Sequence, residues 1–167
     1  MNYGGLEAYG GTITFNNSEV AHARNECVNA HNNGNFSAIN SVFRDASLAF
    51  GYYGSGRVKA YNCVFSDLTT SIRQTGKTFT NCIFYKCFSA FTDQGGDGSI
   101  FKNCLFYNPR GYGPQSYSKV GQNGNIWGDP LFVDPMNGDF RIVEGSPCVD
   151  AADSTVAPEV DYYGQPR

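Results

Sequence analysis

Several polar side chains in this chain recur at spacings that could support chemistry. Asp45 and Asp67 each lie five residues after an Asn, Asn40 and Asn62. Arg73 follows Ile72, and Asp93 follows Thr92 about one such interval further on. An Arg and an Asp brought to one face can move a proton or form a surface ion pair. Two carboxylates facing each other across a sugar could cleave a glycosidic bond. Stacked closely, the same carboxylates repel and call for a cation or a shifted pKa. The position equivalent to Asp45 and Asp67 in the next interval is Lys86, so the three read equally as a structural charge ladder. Tyr52, Tyr53, Tyr107, Tyr112 and Tyr117 lie outside the regular apolar positions. Aromatic faces stack on sugar rings and the phenol adds a hydrogen bond, although Tyr also covers strand faces for reasons of β-propensity.

Other chemistries find less support. His22 and His31 sit in an irregular stretch with Asn32-Asn33-Gly34-Asn35, and read as surface residues. No nucleophile-elbow motif is present, and Gly95-Gly96-Asp97-Gly98 reads as a turn. The six cysteines, at 27, 63, 82, 87, 104 and 148, match no zinc spacing. They read mostly as small buried hydrophobes.

The elements that would position these residues are set by a repeat. Ala38-Ile39-Asn40-Ser41-Val42-Phe43 returns as Ala60-Tyr61-Asn62-Cys63-Val64-Phe65. It returns again as Phe79-Thr80-Asn81-Cys82-Ile83-Phe84 and as Phe101-Lys102-Asn103-Cys104-Leu105-Phe106. Weaker copies place Asn at 17 and 125. Phe recurs three residues after the Asn, and Phe50, Ile72 and Phe91 fall ten residues after it. Units of about 22 residues with such short apolar–polar alternations read as short strands. One unit cannot bury its own apolar face, but stacked units can, at about 4.8 Å per coil. The Asn suits a sharp left-handed corner and can bond along the stack. The Cys and Phe that follow it should point inward.

Composition agrees. Charged residues make up only 16% of the 167, against roughly 25% in ordinary domains, so neutral polar groups must solvate the surface. With a net charge of −3 and no basic tract, nucleic acid is not an expected partner. No run of 18 apolar residues predicts a membrane span, and the opening Met1-Asn2-Tyr3-Gly4-Gly5 does not read as a signal peptide.

An Asn-ladder coil of this length resembles the pectate-lyase-like superfamily of right-handed parallel β-helices. The segments Gly128-Asp129-Pro130-Leu131-Phe132-Val133-Asp134-Pro135, Gly138-Asp139-Phe140-Arg141-Ile142 and Gly145-Ser146-Pro147-Cys148-Val149-Asp150-Ala151 resemble the ending of bacterial surface and secreted β-helix proteins. The expected fold is therefore all-β: a right-handed parallel β-helix of about six to seven coils with a C-terminal cap. Residues 1–127 would form the coils, with an irregular insertion at about 20–37, and residues 128–167 the capping segment. Asp129, Asp134, Asp139 and Asp150 flank turn residues and read as turn and backbone caps. No cofactor is expected. Calcium is the one cation these carboxylates could take.

The resemblance implies an extracellular or cell-surface setting and a polysaccharide partner. A lyase of this superfamily needs an Arg or Lys base and a cation to stabilise an enolate, which makes Arg73 with Asp93 the candidate catalytic pair. The thinness of that pair favours a non-catalytic carbohydrate-binding or structural module of an exported bacterial protein, with the five Tyr as the binding surface. A polysaccharide lyase or glycoside hydrolase is the alternative. A self-assembling fibre or tail-spike segment, associating end to end through the N-terminal coil, is the third reading.

Overall fold

In a computed structural model, which describes residues 5–31, 33–50, 56–72, 76–89, 98–111 and 118–167, the chain winds into an all-β parallel solenoid of about four turns. Its strands are β1 (Leu6–Tyr9), β2 (Thr12–Asn16), β3 (Glu19–Ala21), β4 (Glu26–His31), β5 (Asn35–Ile39), β6 (Val42–Phe50), β7 (Val58–Tyr61) and β8 (Val64–Ile72). They continue as β9 (Thr78–Thr80), β10 (Ile83–Tyr85), β11 (Ile100–Lys102), β12 (Leu105–Tyr107), β13 (Ile126–Trp127), β14 (Phe132–Asp134) and β15 (Asp139–Ile142). One sheet runs β11-β9-β7-β5-β2. A second runs β1-β4-β6-β8-β10-β12-β13, with β3 also paired to β6. All pairs in both sheets are parallel, and each joins equivalent residues of successive coils: Val42, Val64, Ile83, Leu105 and Ile126 lie in one row. No helix among the described residues is long and apolar enough to cross a membrane.

The Asn corners form as the repeat requires. Asn17, Asn40, Asn62, Asn81 and Asn103 all have φ between 47° and 56°. Each corner N–H donates to the next coil, as from Asn62 to the Thr80 carbonyl at 3.1 Å and from Asn81 to the Lys102 carbonyl at 3.0 Å. The residue after each Asn closes the corner from inside. Ser41, Cys63, Cys82 and Cys104 each donate from Oγ or Sγ to the carbonyl two residues back, at 2.8–3.3 Å. A thiol can replace a hydroxyl here because the position needs a small, weakly polar, buried donor.

Three residues past each Asn, the rings of Phe43, Phe65, Phe84 and Phe106 form a column inside the solenoid. Their centroids are 4.9–5.4 Å apart and their planes lie within 11°. Phe79 stacks on Phe101 in the facing sheet at 5.2 Å, and all six rings are essentially inaccessible. The coil rise of about 4.8 Å is close to the stacking distance of aromatic rings, so one residue type repeated in register stacks ring on ring through the core.

Two features differ from the sequence expectation. The coils number about four, not six to seven. Asn holds five of the corners, and Asn125 is not a corner. Asn103 N donates to the Asn123 carbonyl and Ile126 N to the Cys104 carbonyl, which puts Gly124, at φ 75°, in the corner register. A Cβ on Gly124 would lie 2.9 Å from Asn103 Nδ2, so a side chain there would have to displace the Asn103 amide as well as adopt a left-handed backbone. Asn125 stands instead in the Cys column and finishes it. Its Oδ1 accepts from Cys104 N at 3.0 Å, and its Nδ2 donates to the Phe101 and Lys119 carbonyls at 3.0 and 3.2 Å. The second difference lies in residues 20–37, where an irregular insertion was expected. They carry β4 and β5, in register with β6 and β7; their polar composition hides strands whose pairing is set by neighbours.

Because Phe65 stacks on Phe43 on one side and Phe84 on the other, removing it should cost more than removing an exposed ring. Phe65→Ala is expected to lower stability by about 3–5 kcal/mol, and Phe88→Ala, whose ring is 68% exposed, by less than about 0.5 kcal/mol. Equilibrium urea unfolding measures both. Equal midpoints for the two variants would contradict a core organised around the column.

Candidate functional site

Strand alternation gives the solenoid an apolar stripe on its outside. Cys and Phe, one and three residues after each Asn, point inward, so the residue between them points out. That position holds Val42, Val64, Ile83, Leu105 and Ile126. An exposed stripe of this kind needs a cover, and the C-terminal segment supplies it. The antiparallel hairpin β14–β15 lies on the same side, its Phe132 ring edge-on to Tyr85 at 5.2 Å. From there residues 143–167 run back along the Asn corners as a strap. Asn103 Nδ2 donates to the Ala151 carbonyl at 3.1 Å. Asn81 and Asp153 exchange two bonds, Asn81 Nδ2 to the Asp153 carbonyl at 3.0 Å and Asp153 N to Asn81 Oδ1 at 2.8 Å. Asn40 Nδ2 donates to the Val160 carbonyl at 2.9 Å.

Between stripe and strap lies a groove of about 430 Å³. Its floor is Val64, Ile83 and Leu105; one wall is Asn62, Asn81 and Asn103; the other is Ala151 and Ala152 and then Asp161, Tyr162 and Tyr163, with Arg141 and Arg167 also lining it. Cys82 and Cys148 border it as thiols that burial holds protonated, Cys148 pushed up to about 11. The Asp161 carboxylate is turned to its own backbone, accepting from Tyr163 N and Gln165 N at 2.8 Å. Arg141 is held by Asp139, whose carboxyl it draws down to about 2. The groove thus offers an apolar floor, a row of amides and two phenols. It contains one carboxylate, not the facing pair that glycoside hydrolysis uses.

The residues singled out from the sequence fall elsewhere. Arg73 and Asp93, the candidate catalytic pair, and Tyr52, Tyr53, Tyr112 and Tyr117 lie outside the described residues. Tyr107 is described and is not part of the groove. It is half-buried on the next row of the same face, stacked on Tyr85 at 6.1 Å and edge-on to Trp127 at 6.1 Å. Burial and the nearby Asp129 carboxylate raise its phenol pKa. Asp45 and Asp67 do stack, at a second left-handed corner that also includes His22 and Lys86, all with φ between 51° and 57°. Arg44 bonds both Asp45 and Glu19, His22 Nδ1 lies 3.4 Å from Asp45, and Ser66 donates to Asp67 at 2.6 Å. Asp45 is thus paired with the Arg44 guanidinium, whereas Asp67 accepts from a neutral hydroxyl and shares its corner row with the cationic Lys86. In the C-terminal segment Asp129 and Asp139 cap turns by accepting from the N–H two residues on, at 2.9 and 3.2 Å, and Asp134 accepts from Asn137 at 2.7 Å. No group of three or more His, Cys, Asp or Glu among the described residues is arranged to hold a metal ion.

Compared with protein-family models, curated proteins and solved structures, the chain matches none. Its class rests on its own geometry: a parallel β-solenoid with a strapped lateral groove.

Two tests follow from this arrangement. Asn81→Gly keeps the corner conformation and deletes both bonds to Asp153. It should cost about 1–3 kcal/mol and speed limited proteolysis within residues 150–167; an unchanged cleavage rate would mean the strap is held by other contacts. The Asp139 carboxyl, depressed in the folded state, contributes stability above its unfolded value near 4, and that contribution fades as pH falls toward 2. Carboxyl NMR should give a midpoint of about 2 for Asp139, and Arg141→Ala should return it toward the ordinary value.

Proposed function

We propose that the protein is a non-catalytic carbohydrate-binding module of an exported bacterial protein, and that the strapped groove is where the saccharide sits. The groove's lining supports this reading. A pyranose presents an apolar C–H face and a rim of hydroxyls. Val64, Ile83 and Leu105 suit the first; the Asn62 side-chain amide, the one in the wall not bonded to the strap, and the phenol of Tyr162 suit the second. The volume of about 430 Å³ lies within the roughly 300–1,000 Å³ of small-ligand sites. A site built on strands and an amide ladder is also rigid before binding, which lowers the ordering cost. The resemblance of residues 128–151 to the ending of exported β-helix proteins supports the setting.

The absence of a facing carboxylate pair in the groove favours binding over cleavage. Affinity for a short oligosaccharide in such an open site should fall between millimolar and micromolar, about −4 to −8 kcal/mol. Affinity electrophoresis against acidic and neutral polysaccharides, with and without calcium, measures it, together with product analysis over a day. Retardation by a polymer whose chain length stays constant is the expected result. Shortening of any polymer would replace this reading with an enzymatic one, and no retardation by any of them would leave the solenoid a structural part.

A further inference from the structure

The strap does not use every rung of the Asn wall. Asn103, Asn81 and Asn40 each donate Nδ2 to a strap carbonyl, of Ala151, Asp153 and Val160 in turn. Asn62, between Asn40 and Asn81, does not. Its Oδ1 accepts from Asn81 Nδ2 at 3.1 Å, but its own Nδ2 is buried and has no hydrogen-bond partner among the described residues. The cause is in the strap. After Asp153 the chain turns, Val156 N returning to the Asp153 carbonyl at 3.4 Å, and Ser154, Thr155 and Val156 swing out exposed. The strap regains the ladder only at Val160. The groove includes Asn62 and Val64 on one side and Ala152 and Asp161 on the other, with none of residues 154–159.

A buried amide N–H without an acceptor is unfavourable, so this rung is set to gain from a ligand oxygen. Its three sister rungs show what oxygen the geometry accepts: each takes the carbonyl of an amide. We infer that the groove recognises N-acetylated amino sugars, a small shift of the Asn62 side chain bringing its Nδ2, buried in the unliganded groove, to the acetamido carbonyl, with the acetyl methyl on the Val64 side of the floor. This rests on the saccharide reading above and names its ligand class. A peptide carries the same carbonyl, but an extended peptide would need neighbouring rungs, and those at Asn40 and Asn81 are occupied by the strap. A single pendant amide can reach one isolated rung.

The test uses the full chain, titrated calorimetrically with the β-1,4-linked disaccharide of N-acetylglucosamine and with the matching glucose disaccharide. The acetylated sugar should bind at least about tenfold more tightly, the equivalent of one hydrogen bond to a buried donor, and should shift the Asn62 side-chain amide resonance. Asn62→Asp keeps the corner and the acceptor for Asn81 while removing the donor. It should abolish the preference and leave the unfolding midpoint near that of the parent. Asn62→Gly, which keeps the left-handed corner and carries no charge but also removes the acceptor for Asn81, should abolish the preference too. Equal binding of the two sugars, or a preference that survives both substitutions, would overturn the inference and leave the saccharide reading standing. Failure of both sugars together with every polysaccharide would overturn both. A shift of the Asn62 resonance by an oligoalanine peptide, and by neither sugar, would replace the ligand class with peptide.

Discussion

Each coil of this solenoid reverses direction at one residue held near φ +50°, a conformation that costs most residues about 1–2 kcal/mol. Asn pays least among residues with a side chain, because its amide can bond the nearby backbone. Once five corners adopt it, at Asn17, Asn40, Asn62, Asn81 and Asn103, the strands on either side are forced into register with their neighbours. The parallel sheets, the Phe column and the Ser/Cys column follow from that register. The cost is repeated at every coil, so the contacts that offset it must be repeated too. Ring stacking at 4.9–5.4 Å and the corner hydrogen bonds recur once per turn. Stability is therefore close to a sum over neighbouring coils, and a coil without neighbours on both sides is the weak point.

The same register creates a difficulty outside. Strand alternation that sends Cys and Phe inward sends Val, Ile and Leu outward, in line, at five successive rungs. The C-terminal segment covers that line with Phe140, Ile142, Cys148 and Ala151 on or around the groove. It is secured mainly through backbone carbonyls bonded to the Asn amides. The corner residue thus has two tasks, its backbone turning the coil and its side chain holding the strap. Sequence in the strap is only loosely constrained by such bonds, since any residue supplies a carbonyl.

Much of the fold could be read from the residues because its cause is periodic. The Asn-Cys-aliphatic-Phe unit specifies the corner, the two inward columns and the outward row together, and the left-handed conformation follows from the Asn alone. Where the period ends, composition misleads. Asn125 has the right residue type and nearly the right spacing for a corner, yet Gly124 takes the corner, because only the next coil's hydrogen bonds reveal the register. Residues 20–37 look irregular because the strands they carry contain Asn29, His31 and Asn35, and polar residues form strands when neighbouring strands supply the pairing. The groove was the least legible. Its stripe was implied by the alternation at Val42, Val64, Ile83, Leu105 and Ile126, but nothing local shows that Tyr162 and Tyr163 return to that stripe from the far end of the chain. Asp45 and Asp67 drew notice as paired carboxylates; their partners Arg44 and Ser66 are sequence neighbours, and that adjacency was the signal for a structural ladder.

A repeat protein offers the same surface at every rung, so a particular ligand can be distinguished only where the repetition is broken. Here the break is not in the solenoid, where Asn62 is equivalent to its neighbours in backbone, register and side chain. It comes from the strap, whose turn at residues 153–156 withdraws one carbonyl from the amide row. The unmatched donor is isolated, because both flanking rungs are taken by the strap. Changing the length of that turn would move or erase the unmatched rung without altering any coil. In this architecture the solenoid fixes the spacing of the donors, and the strap decides which of them is left unmatched.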